Sequence, residues 1–122
     1  MVDKDVLAEA ARLFNRKFYF ECHEVLEQVW MESLGDEKQF LQGLIHIAVG
    51  FYHAAADNYK GASKQIEKGI RRLTPSLPER DGLDVTGLVD PSRNALEKVE
   101  RGLRGEEILW NENDVPVMRL RD

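Results

Sequence analysis

From Val6 to Leu73 the apolar residues of this chain recur at three- and four-residue steps, the spacing that lines one face of a helix. Val6, Leu7, Ala10, Leu13 and Phe14 predict a first helix over 3–15, capped by Asp3. After a turn at Asn15, Arg16 and Lys17, the aromatic run Phe18, Tyr19, Phe20 leads into a second helix over about 19–34. Gly35 closes that helix, and Asp36 is the expected cap of a third over about 37–57. Asp57 and Asn58 interrupt the pattern before Ala62, Ile66, Ile70 and Leu73 carry a fourth helix. Positions 74–89 hold two prolines, two glycines and no helical stripe, which predicts a long ordered loop with Leu77, Leu83, Val85 and Leu88 packed down. Asp90 and Pro91 predict the start of a fifth helix, with proline at its first position and Gly105 at its end. The tail from 106 to 122 is not periodic; Trp110 and the run from Val115 to Met118 are expected to tether it, and only 115–120 hints at a strand. The expected fold is all-α, a compact antiparallel bundle formed by 1–122 as a single domain.

The third helix is unusual. Phe40, Leu41, Leu44, Ile45, Ile47, Ala48, Val49, Phe51, Tyr52 and Ala54 cover most of its circumference, so it is predicted to be central and buried. Its polar residues, Gln39, Gln42, His46, His53 and Asp57, fall in one stripe roughly 60° wide, bordered by Gly43 and Gly50. Glycine within a helix is disfavoured by about 1 kcal/mol against alanine, and close approach of another element commonly accounts for it.

On the second helix, His23 and Glu27 are one turn apart and the wheel places both toward its buried face, whereas Glu21, Glu24, Gln28 and Glu32 form the solvent arc. A buried carboxylate needs partners or gives up its charge. Two helices joined by a short turn pack antiparallel, which sets Glu27 level with Ile45 and His23 level with Val49. The expected cluster is therefore His23, Glu27, His46 and His53, with Gln42 nearby as a donor to Glu27. Such a group would serve as an acid–base pair, His23 as base and Glu27 as its orienting partner. It would equally serve as a divalent-metal site of nitrogen and oxygen ligands, with His23, Glu27, His46 and His53 as the ligands. The zinc-protease pattern His-Glu-x-x-His is not met, since Glu27 stands in the final place. Tyr19, Tyr52 and Tyr59 are expected as half-buried core residues, with hydroxyl groups for a pocket as the alternative, and Cys22 as an inert core thiol.

Charge narrows the partners. The chain has 17 Lys and Arg against 22 Asp and Glu, a net −5, which disfavours nucleic acid and anionic membranes. Its longest apolar stretch is interrupted by His46 and His53 and is too short to span a bilayer. The first residues show no signal-peptide pattern, and the one cysteine fits a reducing, prokaryotic cytoplasm.

Two segments carry a resemblance. Phe18-Tyr-Phe-Glu-Cys-His-Glu-Val-Leu-Glu-Gln-Val-Trp30, followed by Phe40-Leu-Gln-Gly-Leu-Ile-His-Ile-Ala-Val-Gly-Phe-Tyr-His53 and Asn58-Tyr-Lys-Gly-Ala62, is similar to a small all-α prokaryotic family known only as a domain of unknown function, number three hundred and nine in its series. The resemblance spans about residues 6–73 and implies a helical bundle with no established activity. It implies that Glu21, His23, Glu24, Glu27 and Trp30 form a first motif and Gln42, Gly43, His53, Asn58 and Gly61 a second. His46 stands where that pattern more usually has glutamine. Glu24 is thereby kept beside His23 and Glu27 as a catalytic candidate, with Glu21, Trp30, Gln42, His53 and Asn58 as binding candidates. Two readings follow: a small-molecule or metal-dependent enzyme, or a non-enzymatic interaction module, such as a homodimer, in which the cluster is structural.

Overall fold

In a computed structural model describing residues 1–121, the chain folds into five helices: α1 (Lys4–Asn15), α2 (Tyr19–Trp30), α3 (Gly35–Ala55), α4 (Tyr59–Leu73) and α5 (Thr86–Leu103). Successive helices pack on one another, with α3 between α2 and α4, and the buried apolar side chains make one continuous cluster. None of the helices is long and apolar enough to cross a membrane.

Asp3 caps α1 by accepting the backbone N–H of Asp5 at 2.7 Å, and Leu7, Ala10, Ala11 and Phe14 form its buried face. Lys17, at φ +69°, turns the chain into α2. That helix ends at Trp30, earlier than the periodicity predicts. Ser33 accounts for the difference: its hydroxyl donates to the Val29 carbonyl at 2.7 Å and its N–H to Trp30, which tightens the last turn. Leu34 is then extended, and α3 begins at Gly35 with φ +60°. Asp36 therefore lies inside the first turn of α3 and is not its cap.

The expected central role of α3 is met, with Phe40, Leu41, Leu44, Ile47, Ala48, Phe51 and Ala54 all buried. Its glycines meet α4. A β-carbon on Gly43 would fall 2.7 Å from Leu73 Cγ, and one on Gly50 would fall 2.6 Å from Ile66 Cγ1. Asp57 takes the left-handed conformation that short polar residues tolerate, and Asn58 caps α4 by accepting the Gly61 N–H at 3.1 Å.

The stretch 74–89 is more structured than a loop. A short 3-10 turn at Thr74–Ser76 is followed by two-residue strands, β1 (Glu79–Arg80) and β2 (Leu83–Asp84), paired antiparallel. Asp81 and Gly82 connect them, both with positive φ, as the tight hairpin turn requires. Asp84 then accepts the Gly87 N–H at 2.9 Å, so α5 starts at Thr86 and Pro91 lies within the helix, not at its first position. Leu83, Val85 and Leu88 are buried as expected, whereas Leu77 is exposed.

Several contacts tether the tail, among them the Lys98–Asp114 ion pair at 2.8 Å. Trp110 stacks on Phe51 with ring centroids 6.2 Å apart. Asn15 exchanges two hydrogen bonds with the Met118 backbone, both 2.9 Å. Leu120 bridges to Leu83, so the segment around Leu120 extends the hairpin edge.

Candidate functional site

The antiparallel pair α2 and α3 encloses a cleft of about 240 Å³ lined by Tyr19, Phe20 and His23 from one helix and Val49, Tyr52 and His53 from the other. Its rings meet edge to face: Phe20 with His23 at 5.7 Å between centroids, Phe20 with Tyr52 at 6.4 Å, and Tyr52 with His53 at 5.8 Å. Tyr19 and Tyr52 also border a second cleft of about 510 Å³, closed on its far side by Trp110, Glu112 and Val115 of the tail. Burial pushes the Tyr19 hydroxyl up to about 12, so it stays a neutral donor.

His23 Nε2 lies 2.9 Å from Glu27 Oε2. The paired geometry expected from their one-turn spacing is present, but the burial is not, because the Glu27 side chain is 48% exposed and that of His23 26%. Tyr19, Cys22 and Leu26 are the residues of α2 that point inward. His23 and Glu27 each follow one of them by one residue, about 100° around the helix, which places them at the rim of the α2–α3 contact. Cys22 is the deeply buried group at this level, its thiol pushed up to about 12 by burial and thus inert.

His46 does not join this pair. Its Nδ1 is 2.6 Å from Gln65 Oε1 on α4 and its Nε2 is 3.2 Å from Gln42 Nε2. The carbonyl oxygen of Gln65 accepts only, so Nδ1 carries the hydrogen and Nε2 accepts from the Gln42 amide. Gln42 is thus a partner of His46, not of Glu27. Burial lowers the His46 pKa most; the bond to Gln65 opposes this, and the nearby Arg72, Lys68 and Arg71 add to it. The neutral ring is therefore favoured in the fold, and the unfolded chain takes up the proton first as pH falls below the ordinary value of 6.5. The stability this provides is complete above 6.5 and is lost as pH falls toward the lowered folded value. In urea unfolding at a series of pH values, His46→Gln should flatten that part of the profile, and an unchanged slope would remove His46 as its source.

His53 does reach the cleft. Asn58 Nδ2 donates to His53 Nδ1 at 3.3 Å while Asn58 Oδ1 caps α4. A β-carbon on Gly61 would fall 2.8 Å from that amide nitrogen and 3.0 Å from the imidazole ring, which is why glycine stands there. Glu21 and Glu24 are exposed and do not line the cleft. Trp30 sits at the far end of α2, half-buried, with the Lys38 ammonium 4.5 Å from its ring centroid. Among the described residues no three His, Cys, Asp or Glu side chains are gathered as a metal ion would need, so His23, Glu27, His46 and His53 do not form a ligand set. Phe20 and Val49 were not site candidates by sequence; an aromatic triplet at Phe18–Phe20 entering a helix beside a histidine was the available signal.

Fold and cleft together define a small helical-bundle protein with two imidazoles on the wall of an aromatic cleft. Residues 7–65 match the family model described as Domain of unknown function (DUF309), and this stretch of the chain belongs to that family. It contains every residue lining the α2–α3 cleft and excludes the hairpin, α5 and the tail. The chain is also 35% identical over 85 residues to an uncharacterised protein, YpuF, of Bacillus subtilis (strain 168). That alignment covers 67% of the chain and 49% of the relative, so the chain spans about half the relative's length.

Proposed function

We propose that the α2–α3 cleft binds a small aromatic or largely apolar molecule and that His23, oriented by Glu27, accepts a proton from it. The carrying observation is the 2.9 Å approach of His23 Nε2 to Glu27 Oε2 at the rim of an aromatic cleft. Beside a carboxylate, the tautomer of neutral His23 that keeps its hydrogen on Nε2 is favoured electrostatically, which leaves the lone pair on Nδ1. The cleft's 240 Å³ lies below the roughly 300 Å³ at which drug-sized sites begin, which favours a compact ligand. His53, steadied by Asn58, supplies a second polar group on the facing helix.

The test uses phenol as a probe, an aromatic ring with a transferable proton, titrated while the imidazole nitrogens are followed by NMR. Shifts at His23 and His53 are expected in the native chain, with the His53 shifts weakened in His23→Ala; an absence of shifts at either ring would sink the reading. The interaction-module reading separates on stability. Because Glu27 is half exposed, Glu27→Gln should destabilise the protein by no more than about 1 kcal/mol in urea unfolding. A loss of about 3 kcal/mol would instead make the pair a packing device.

A further inference from the structure

On the opposite side of α3 from the cleft's His23, where α4 ends beside the first turn of α3, lies a larger cavity of about 530 Å³. Arg71 and Arg72 reach it from the last turn of α4, Arg80 from β1, and Asp36, Gln39 and Ser76 complete its polar lining. Basic residues at the end of a helix are ordinarily placed there by its dipole. That does not explain Arg80, which comes from a separate element and sits over the Phe40 ring at 5.4 Å.

The three guanidinium groups are incompletely paired. Arg72 donates to the neutral side chain of Gln39, and its buried Nε has no hydrogen-bond partner among the described residues. Arg71 has Glu67 at 3.8 Å and Arg80 has Asp81 at 3.9 Å, both well beyond the roughly 2.8 Å of a charge-assisted hydrogen bond. Asp81 is itself occupied in accepting the Val2 N–H at 3.1 Å. Leu34 offers the backbone N–H groups at the start of α3 no side-chain cap, and of the two acids in that first turn Glu37 is paired with the Met1 amine while Asp36 lines the cavity. With three arginines against the single carboxylate of Asp36, the recess is positive in a chain of net charge −5.

We propose that this cavity binds the phosphate group of a small phosphorylated ligand. Planar guanidinium forks from three positions suit an oxyanion with more than two oxygens and a double charge better than a single carboxylate. The volume falls within the roughly 300–1,000 Å³ of small-molecule sites, so an organic portion fits beside the phosphate.

Calorimetric titration of the full chain at constant ionic strength tests this with three probes: inorganic phosphate, ribose 5-phosphate and acetate. Binding of either phosphate compound, with acetate at least about tenfold weaker, is the expected result. The tighter of the two phosphates distinguishes a free anion from an ester. Arg72→Gln and Arg80→Gln should each weaken that binding about tenfold or more, as loss of a charged hydrogen bond does. Circular dichroism checks that each variant folds, and because the two lie on different elements a defect in one leaves the other decisive. No heat from either phosphate compound, or equal affinity in the native chain and a folded variant, overturns the assignment.

Discussion

Replacing Phe51 with alanine is expected to destabilise the protein by about 4 kcal/mol, a large share of the roughly 5–15 kcal/mol by which a domain of this kind is stable. Phe51 is buried near the C-terminal end of α3, and three parts of the chain meet through its ring. Phe14 of α1 packs against it edge to face at 5.9 Å, Phe14 in turn meets Tyr19 of α2 at 5.3 Å, and Trp110 of the tail stacks on it at 6.2 Å. Each such pair contributes about 0.5–1.5 kcal/mol beyond the area it buries. Truncation thus removes both the core volume and the surface that holds Trp110. In a Trp30→Phe background, where Trp110 is the only tryptophan, the variant should show a lower urea midpoint and red-shifted native emission. An unshifted emission would mean that the Asn15–Met118 hydrogen bonds hold the tail without the ring.

Much of this architecture is legible in the spacing of apolar residues. The stripes of α1 and α4 appear in the structure with Leu7, Ala10 and Phe14, and Ala62, Ile66, Ile70 and Leu73, buried. Those helices bury one narrow face each, so period and packing coincide. The hairpin and the start of α5 are not legible in the same way. Asp84, at the end of a strand, accepts the Gly87 N–H in the first turn of α5, and Pro91 looks like a helix start because its missing N–H suits that position best. Here a capping contact formed by the preceding fold overrides the local signal. Glu27 shows a second limit. A wheel locates a residue by angle but does not say how wide a strip the neighbouring helices cover, and α2 buries only Tyr19, Cys22 and Leu26.

The candidate site was half legible for a related reason. His46 and His53 share one face of α3, being seven residues apart. What each side chain meets depends on how far α4 has advanced beside it. At His46 the space is taken by Gln65, whereas at His53 α4 has only begun, and the ring borders the cleft shared with His23. The glycines follow suit: Gly43 and Gly50 do mark a close approach, but to α4 and not to the histidine-bearing edge of α2.

That close approach makes Gly50→Val the second severe substitution. The helices α3 and α4 are nearest where Gly50 faces Ile66 and Gly69 faces Ile47 and the Gly43 carbonyl. A β-carbon at position 50 would lie 2.6 Å from Ile66 Cγ1 and 3.1 Å from the Ile66 backbone nitrogen. The first contact is with a side chain that a rotamer change relieves in a looser core, but the second is backbone and moves only if α4 moves. Overpacking of this kind is expected to destabilise by about 3 kcal/mol, outweighing the few tenths that valine gains over glycine in helix propensity. A second signature is also expected. The Gln65 Cβ lies 3.4 Å from the same β-carbon, and Gln65 holds His46 at 2.6 Å. Parting the helices should therefore release the imidazole and flatten the low-pH loss of stability that His46 produces, as His46→Gln does. Urea unfolding of the variant across pH reads both effects at once. Unchanged stability with the pH profile intact would show that α4 can retreat from Gly50 without disturbing the Gln42–His46–Gln65 chain, and the glycine would then be dispensable to the helix pair.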